Sequence, residues 1–598
     1  MNYTGAQQRA IETIDRNLQI IACAGSGKTQ VISRRIVEIL RNGKQNGVVP
    51  ANIVAFTFTE KAAAELKDRI HRLAIEVLGD DTGFAEMYVG TIHGYCLNLL
   101  QRPPVYKFLK YSVLTEVQQR LLIDRNSAKS GLNSVPLLNG GTLKRWLDSA
   151  LWQQLLSVLE ESDVDRRRVS RAVLEAAERY GELRDAKRLL DYSGMLSAAV
   201  KELGQNAQLR ASVAGQLKYL VVDEYQDVNP LQEQLISEIA RLGANICVVG
   251  DDDQTIYQWR GSEVKNIIEF ANRYPRVKAI RLDDNFRSSQ GIVLAARHVI
   301  EGNSERLRKK MESTKAQSYE RGDVLALSFD SPEDEAQWIA EKASSLYSTA
   351  YCNKQGAEER GLAYSDIAVL LRSVRNDAGP ILAALDTRRI PYIVGGMNGL
   401  FDTPEVQAMR DVFYYLAQHE PRGSSVPDKR HLTKLFSDSL WDLSSTDIKQ
   451  GIRFLEDRKR RIGDRMDADL YLQRVYLDLL EGLGIREDRI TQGADARRGE
   501  IVFYNLGKFS QVISDFETIN FHSAPKSLYS SFAGFLEYQA PDYYPEGWEE
   551  AGYAQPDAVN VMTVHQAKGM QWPVVFVPCL RRNRFPSHDG RADVPYGA

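Results

Sequence analysis

Residues Ala22 to Thr29 read Ala-Cys-Ala-Gly-Ser-Gly-Lys-Thr, and Val221 to Asp227 read Val-Val-Asp-Glu-Tyr-Gln-Asp. The first segment has the residue types that cradle phosphates. Backbone N–H groups of Ala24, Gly25, Ser26 and Gly27 can surround phosphate oxygens, Lys28 can reach the β- and γ-phosphates, and Thr29 can offer its hydroxyl to Mg²⁺. In the second segment Asp223 can hold Mg²⁺ on the phosphate oxygens, directly or through water. Its neighbour Glu224 can orient or deprotonate an attacking water. An Asp-Glu pair after an apolar run is by itself an ordinary solvated loop. Beside a phosphate loop it becomes the other half of a site that hydrolyses a nucleoside triphosphate, with Mg²⁺ as the metal.

Such a site needs a strand before each loop and a helix after the first. Gln19 to Cys23 and Tyr219 to Val222 are short apolar runs that read as buried strands. Val31, Ile32, Ile36, Val37 and Leu40 recur at helical spacing. A helix over Gln30–Leu40 adds the positive end of its dipole to the phosphate site. Strand and helix patterns alternate through residues 1–85 and again through 214–290, which predicts one α/β domain with a parallel sheet. A second α/β region begins near Gln290. Its expected strands are Val324–Phe329, Ile367–Leu371 and Val574–Val577, with a helix over Ser331–Tyr347. Helical spacing over Thr115–Ala128, Thr142–Glu160 and Arg171–Leu190 marks an insertion in the first region. A second helical insertion interrupts the other region, and Glu537–Gln555 reads as a loop.

At 598 residues the chain exceeds one core and predicts several domains. Its net charge of −3 excludes a globally basic nucleic-acid binder, so any nucleic acid must sit in a local groove. Basic clusters at Arg166–Arg168, Arg306–Lys310, Arg458–Arg461 and Arg581–Arg582 are either solvated helix faces or phosphate contacts. The five cysteines show neither metal-ligand spacing nor a disulfide pattern, which fits a reducing cytoplasm. The N-terminus reads as lacking a signal peptide, and no apolar run is long enough to cross a membrane.

Further motifs follow in order. They are Thr4-Gly-Ala-Gln7, Phe56-Thr57-Phe58-Thr59-Glu60-Lys61-Ala62-Ala63 and Gly90-Thr91-Ile92-His93. Then come Gly250-Asp-Asp-Asp-Gln254-Thr-Ile-Tyr257-Gln-Trp259-Arg260-Gly261, Asn285-Phe286-Arg287-Ser288-Ser289 and Val561-Met-Thr563-Val-His565-Gln-Ala-Lys568-Gly569-Met-Gln571-Trp572. The chain in this respect resembles the superfamily 1 DNA helicases of the UvrD/Rep type, from Thr4 almost to its last residue. The resemblance implies two RecA-like motor domains, each with a mostly helical insertion. The first motor would be 1–85 with 214–290 and its insertion 86–213. The second would be 291–380 with 555–598, incomplete at its C-terminus, and its insertion 381–554.

The resemblance also implies roles. Gln7 would read adenine, Phe286 would stack on it, and Gln254 would sense the γ-phosphate. Arg287 would be an arginine finger, or else an ordinary surface Arg after a strand. Lys568, Gly569 and Gln571 would meet the nucleotide. Thr57, Phe58, Thr59, Thr91, His93, Tyr257, Trp259, Arg260, Thr563 and His565 would hold single-stranded DNA. For each of the threonines a helix-capping role is an equal reading, and for Trp259 a buried core position is the alternative. Two positions depart from the family: Phe286 stands where Tyr is common, and Gln571 where Glu is usual.

The implied activity is ATP-dependent 3′-to-5′ translocation on single-stranded DNA and opening of single-strand/duplex junctions, in repair, recombination or anti-phage defence. The chain stops at Ala598, near where the family carries a further strand and helix with a second arginine. That leaves three explanations: a fragment, a partner chain that completes the motor, or a motor that binds without processive unwinding. The rival function is a nucleotide-gated DNA-binding subunit that works with a partner such as a nuclease. An RNA-directed or regulatory ATPase is a third reading.

Overall fold

The computed structural model describes residues 3–137, 139–257, 261–303, 306–315, 317–352, 358–394, 400–438, 441–486, 496–544 and 557–582. Contacts divide the chain into two units. One holds the residues up to Glu116 and Asn126–Ala326, and the other holds Val117–Arg125 and the residues from Leu327 onward.

The first unit is built on a six-stranded sheet. Its strands are β1 (Leu18–Ala22), β2 (Ile53–Thr57), β3 (Tyr88–Thr91), β4 (Tyr219–Val222), β5 (Asn245–Gly250) and β6 (Lys278–Leu282), in the spatial order β3-β2-β4-β5-β1-β6. Every pairing is parallel. A parallel sheet is covered by helices on both faces, so its strands are apolar on both sides. Val54 and Phe56 of β2 and Ile246 and Val248 of β5 point into one core. Ile53, Ala55, Cys247 and Val249 point into the other. Helices α1 (Gly5–Glu12), α2 (Lys28–Gly43) and α3 (Glu60–Leu78) contribute Ile11, Val31, Ile32, Ile36 and Leu66 to that second core. Each large apolar side chain fully buried this way contributes about 1.5–3 kcal/mol.

The second unit carries a four-stranded sheet of β9 (Ile367–Leu371), β10 (Tyr392–Val394), β11 (Val559–Thr563) and β12 (Val574–Phe576). Its order is β10-β11-β9-β12, again all parallel. Most of its other described residues are helical, and their core is aromatic-rich, with Phe413, Trp441, Tyr476, Phe509, Phe516 and Phe532 buried. Val117 and Leu121 pack in this core.

Four local expectations shift. Within Glu537–Gln555, read as a loop, one helix runs to Tyr538 and another spans Ala540–Tyr543. No strand forms over Val324–Phe329. Val324, Leu325 and Leu327 are exposed, and without a neighbouring strand the apolar run has no ladder to join. The helix expected from Thr142 starts at Ser149. Thr142 instead bridges Pro136, and Trp146 takes a left-handed φ of 70°, which a helix cannot accommodate. Residues 291–326, read from sequence as part of the second motor, pack with the first unit. A two-residue pairing of β7 (Asp284–Asn285) with β8 (Glu312–Ser313) holds part of that segment there.

Among the described residues no helix is long and apolar enough to cross a membrane.

Candidate nucleotide and DNA site

In open parallel sheets, ligands bind beyond the carboxyl ends of the strands. The residues singled out in the first unit gather at that edge. Thr57 and Thr91 end β2 and β3, Asp223 follows β4, Asp251 follows β5, and the phosphate loop follows β1.

The loop is held from three sides. Gly25 and Gly27 take left-handed φ of 69° and 80°, which glycine adopts without penalty. A Cβ on Gly25 would lie 2.7 Å from the Asn285 amide nitrogen and 2.8 Å from Cβ of Arg287. Asn285 donates to the carbonyl of Ala24 at 2.7 Å, and Phe286 N–H to that of Gly25 at 2.9 Å. Ser26 donates to the Cys23 carbonyl at 2.8 Å. From α1, Gln7 donates through Nε2 to the Ser26 carbonyl at 3.0 Å and accepts Thr4 N–H through Oε1 at 3.0 Å. Gln7 thus closes the capping box of α1 and grips the phosphate loop with one side chain. The exposed side chains of Phe286 and Arg287 stand beside this loop.

Lys28 begins α2, and its Nζ lies 3.1 and 3.3 Å from the Glu224 carboxylate oxygens. Both side chains are largely shielded. Burial would lower the Lys28 ammonium, but Glu224, Asp251 and Asp223 around it hold it above the ordinary lysine value. Burial and then the adjacent Glu224 push the Asp223 carboxyl up, against the pull of Lys28. Glu224 takes a left-handed φ of 50°, an uncommon backbone for this side chain and one that clusters at functional sites.

A relay leads on from Glu224. Gln226 donates to it at 2.6 Å and accepts Asp251 N–H at 3.0 Å. Gln254 then donates to the Asp251 carboxylate at 2.6 Å. Glu224 and Gln254 are therefore joined through Gln226 and Asp251. Sequence reading passed over Gln226 and Asn285 as binding groups, although both lie inside quoted motifs.

The residues expected on DNA fall into two groups. Phe58, 40% exposed, stacks on Tyr257 with ring centroids 5.2 Å apart and planes 14° from parallel. This is a flat apolar platform of the kind bases stack on. The threonines are engaged locally. Thr57 is buried and donates to the Thr59 carbonyl at 3.1 Å. Thr59 caps α3 by accepting Ala62 N–H at 3.1 Å. Thr91 caps α4 (Ile92–Leu100) by accepting Gly94 N–H, and it donates to Glu60 at 2.9 Å. His93 packs its ring 5.2 Å from that of Tyr192. Its buried Nε2 has no hydrogen-bond partner among the described residues. Burial pushes its pKa down to about 4, so the ring is neutral near pH 7. Trp259 and Arg260 lie outside the described residues.

In the second unit Thr563 ends β11, buried, with its hydroxyl donating to Gln566 Oε1 at 3.2 Å and accepting Gln566 N–H at 3.3 Å. His565 and Lys568 follow, half-buried, in a turn where Gly569 takes a φ of 81°. Gln571 is exposed.

The site fits Mg²⁺. Three carboxylates surround one ammonium at Lys28, leaving an excess of negative charge. Among the described residues no group of three or more acidic, His or Cys side chains forms a cage for a metal. That suits an ion bound by one or two protein groups, with phosphate and water completing its shell.

Comparison with known proteins agrees with this geometry. The UvrD/REP helicase N-terminal domain matches residues 3–275, and the UvrD-like helicase C-terminal domain matches residues 280–592. The chain is 28% identical to the ATP-dependent DNA helicase PcrA of Bacillus subtilis (strain 168), over 97% of this chain and 77% of that protein. It is 27% identical to DNA helicase II of Escherichia coli (strain K12), over 97% and 79%. Against the ATP-dependent DNA helicase UvrD1 of Mycobacterium tuberculosis (strain ATCC 25618 / H37Rv) the identity is 28%, over 97% and 77%. With two parallel-sheet domains and family models matched over residues 3–275 and 280–592, the chain belongs to the UvrD/Rep-type family of DNA helicases.

Proposed function

We propose that the chain couples ATP hydrolysis to 3′-to-5′ movement along single-stranded DNA and to opening of single-strand/duplex junctions. The observation that carries this reading is the Lys28–Glu224 pair at the head of the relay through Gln226 and Asp251 to Gln254. When the γ-phosphate arrives, Lys28 exchanges the Glu224 carboxylate for phosphate oxygens. Glu224 is then released to orient water and accept its proton. Gln254 registers the γ-phosphate through its amide, and Tyr257, three residues on, passes the change to the stacking platform with Phe58. Mg²⁺, when bound, neutralises charge on the β- and γ-oxygens, with Thr29 and Asp223 as the groups that would hold it.

The other assignments rest on the family resemblance. Gln7 and Phe286 meet adenine, Arg287 stabilises the transferring phosphoryl group, and Lys568, Gly569 and Gln571 serve the nucleotide. Thr57, Thr59, Thr91 and His93 of the first unit, and Thr563 and His565 of the second, contact DNA. The domain limits given above, with residues 291–326 moved to the first unit, belong to the same proposal, as does a setting in DNA repair or recombination in the cytoplasm.

Displacement of streptavidin from biotinylated oligonucleotides tests the direction without any partner protein. We expect ATP-dependent release from the 5′ end and none from the 3′ end. Release from the 3′ end alone would reverse the assigned polarity. Absence of release from either end, by a chain that hydrolyses ATP, would point to a motor that needs a partner.

A further inference from the structure

Two residues of the basic cluster Arg306–Lys310, Arg306 and Lys309, turn inward onto carboxylates, while Arg308 and Lys310 are exposed. Lys309 is only 2% exposed at its side chain. Its ammonium lies against three consecutive carboxylates: Asp251, Asp252 at 2.6 Å and Asp253 at 3.1 Å. Arg306 forms two parallel hydrogen bonds to Asp253, at 2.9 and 2.7 Å. Leu307 N–H adds one to Asp252 at 2.7 Å. Beyond them, Lys310 N–H donates to Asp283 at 3.0 Å and Thr314 N–H to the Asn285 carbonyl at 3.0 Å. One strap, Arg306–Thr314, therefore touches both the Asp251–Asp253 loop and the Asn285 loop that clamps the phosphate loop.

We propose that Lys309 is a positioning residue for ATP hydrolysis, its buried ammonium holding Asp251 in the relay that joins Glu224 to Gln254. The inference rests on the reading of Glu224 and Gln254 given above. Three adjacent carboxylates repel one another, and a buried one without a counter-charge is strongly unfavourable. Asp251 and Asp252 are almost fully buried, and the Lys309 ammonium seated between them fixes their orientation. Burial lowers the Lys309 ammonium, and Asp251 and Asp252 more than offset it. Arg306 fixes the outer carboxylate and thereby the strap. Without the ammonium, the Asp251 carboxylate turns away from Gln254 and the sensor loses its seat, while Asp251 N–H keeps its bond to Gln226. The Lys28–Glu224 pair and the Asn285–Ala24 clamp on the phosphate loop involve neither Lys309 nor Asp251.

The test uses the full chain with Lys309→Met, which keeps length and removes charge. It also uses the double variant Lys309→Met/Asp252→Asn, which removes one surplus carboxylate at nearly constant shape. Turnover at saturating ATP with single-stranded DNA is measured beside equilibrium ATP affinity. We expect Lys309→Met to lower kcat by about 10–100-fold, as loss of a supporting partner does elsewhere, with ATP affinity within about twofold. The double variant should recover most of the loss, which a purely space-filling role for Lys309 would not allow. The proposal is overturned if Lys309→Met keeps its kcat, if affinity falls as far as turnover, or if the double variant is no better than the single. Should Lys309→Met not fold, the double variant decides: folded and active upholds charge balance, while unfolded or inactive refutes it. A parent chain without turnover refutes the underlying reading instead, and the inference with it.

Discussion

Replacing Glu224 with glutamine should lower ATP turnover by about 10²–10⁴-fold, the usual contribution of a general base, while ATP still binds. The structure separates the two effects. Glutamine keeps the shape and can still accept from Gln226, so the relay toward Asp251 and Gln254 remains. It loses the charge that holds Lys28 at 3.1 Å. Lys28 is then free to meet phosphate without first leaving a carboxylate. ATP affinity of Glu224→Gln should therefore equal or exceed that of the parent. Single-turnover hydrolysis together with fluorescent-nucleotide titration checks this. Parent-like turnover in Glu224→Gln would remove Glu224 from the chemistry.

Replacing Lys28 with alanine should abolish binding and turnover together. Lys28 is the cation at the head of α2 and is ringed by Glu224, Asp251 and Asp223. Removing it leaves those carboxylates facing an incoming triphosphate with no opposing ammonium. Like charges at that range repel strongly in a shielded site. We expect turnover to fall by about 10³-fold or more, the scale of losing a positioned transition-state cation, with a parallel loss of ATP affinity. Thermal melting without nucleotide should fall less than function does, because the cores of the sheet contain neither partner. Lys28→Ala that bound ATP as the parent does would mean that the loop glycines alone carry the phosphate.

Much of this site was legible in the sequence because its chemistry is local. The loop Ala24–Thr29, the pair Asp223–Glu224 and the run Gly250–Tyr257 each follow an apolar strand directly, and parallel strands deliver their carboxyl ends to one edge. The sheet was legible for the same reason: strands buried on both faces read as unbroken apolar runs. The groups that were not legible act across long sequence separations. Asn285 grips Ala24 through its amide, and nothing in an Asn near a strand end announces which carbonyl it will meet. Lys309 sat in a basic run that read as either a solvated face or a phosphate contact, because its burial comes from carboxylates more than fifty residues away. The threonines show the opposite. Thr59 and Thr91 fit both a phosphate contact and a helix cap, and the structure shows the caps made. Val324–Phe329 had the composition of a strand but found no neighbour to pair with among the described residues.

The central claim is that ATP hydrolysis at Lys28 and Glu224 is coupled to DNA at the Phe58–Tyr257 platform. Steady-state ATP hydrolysis by the purified 598-residue chain, with and without single-stranded DNA, tests it most directly. Slow turnover alone and a strong rise with DNA is the expected result. A rate that DNA leaves unchanged would contradict it, because the relay from Glu224 to Gln254 would then end without reaching the DNA.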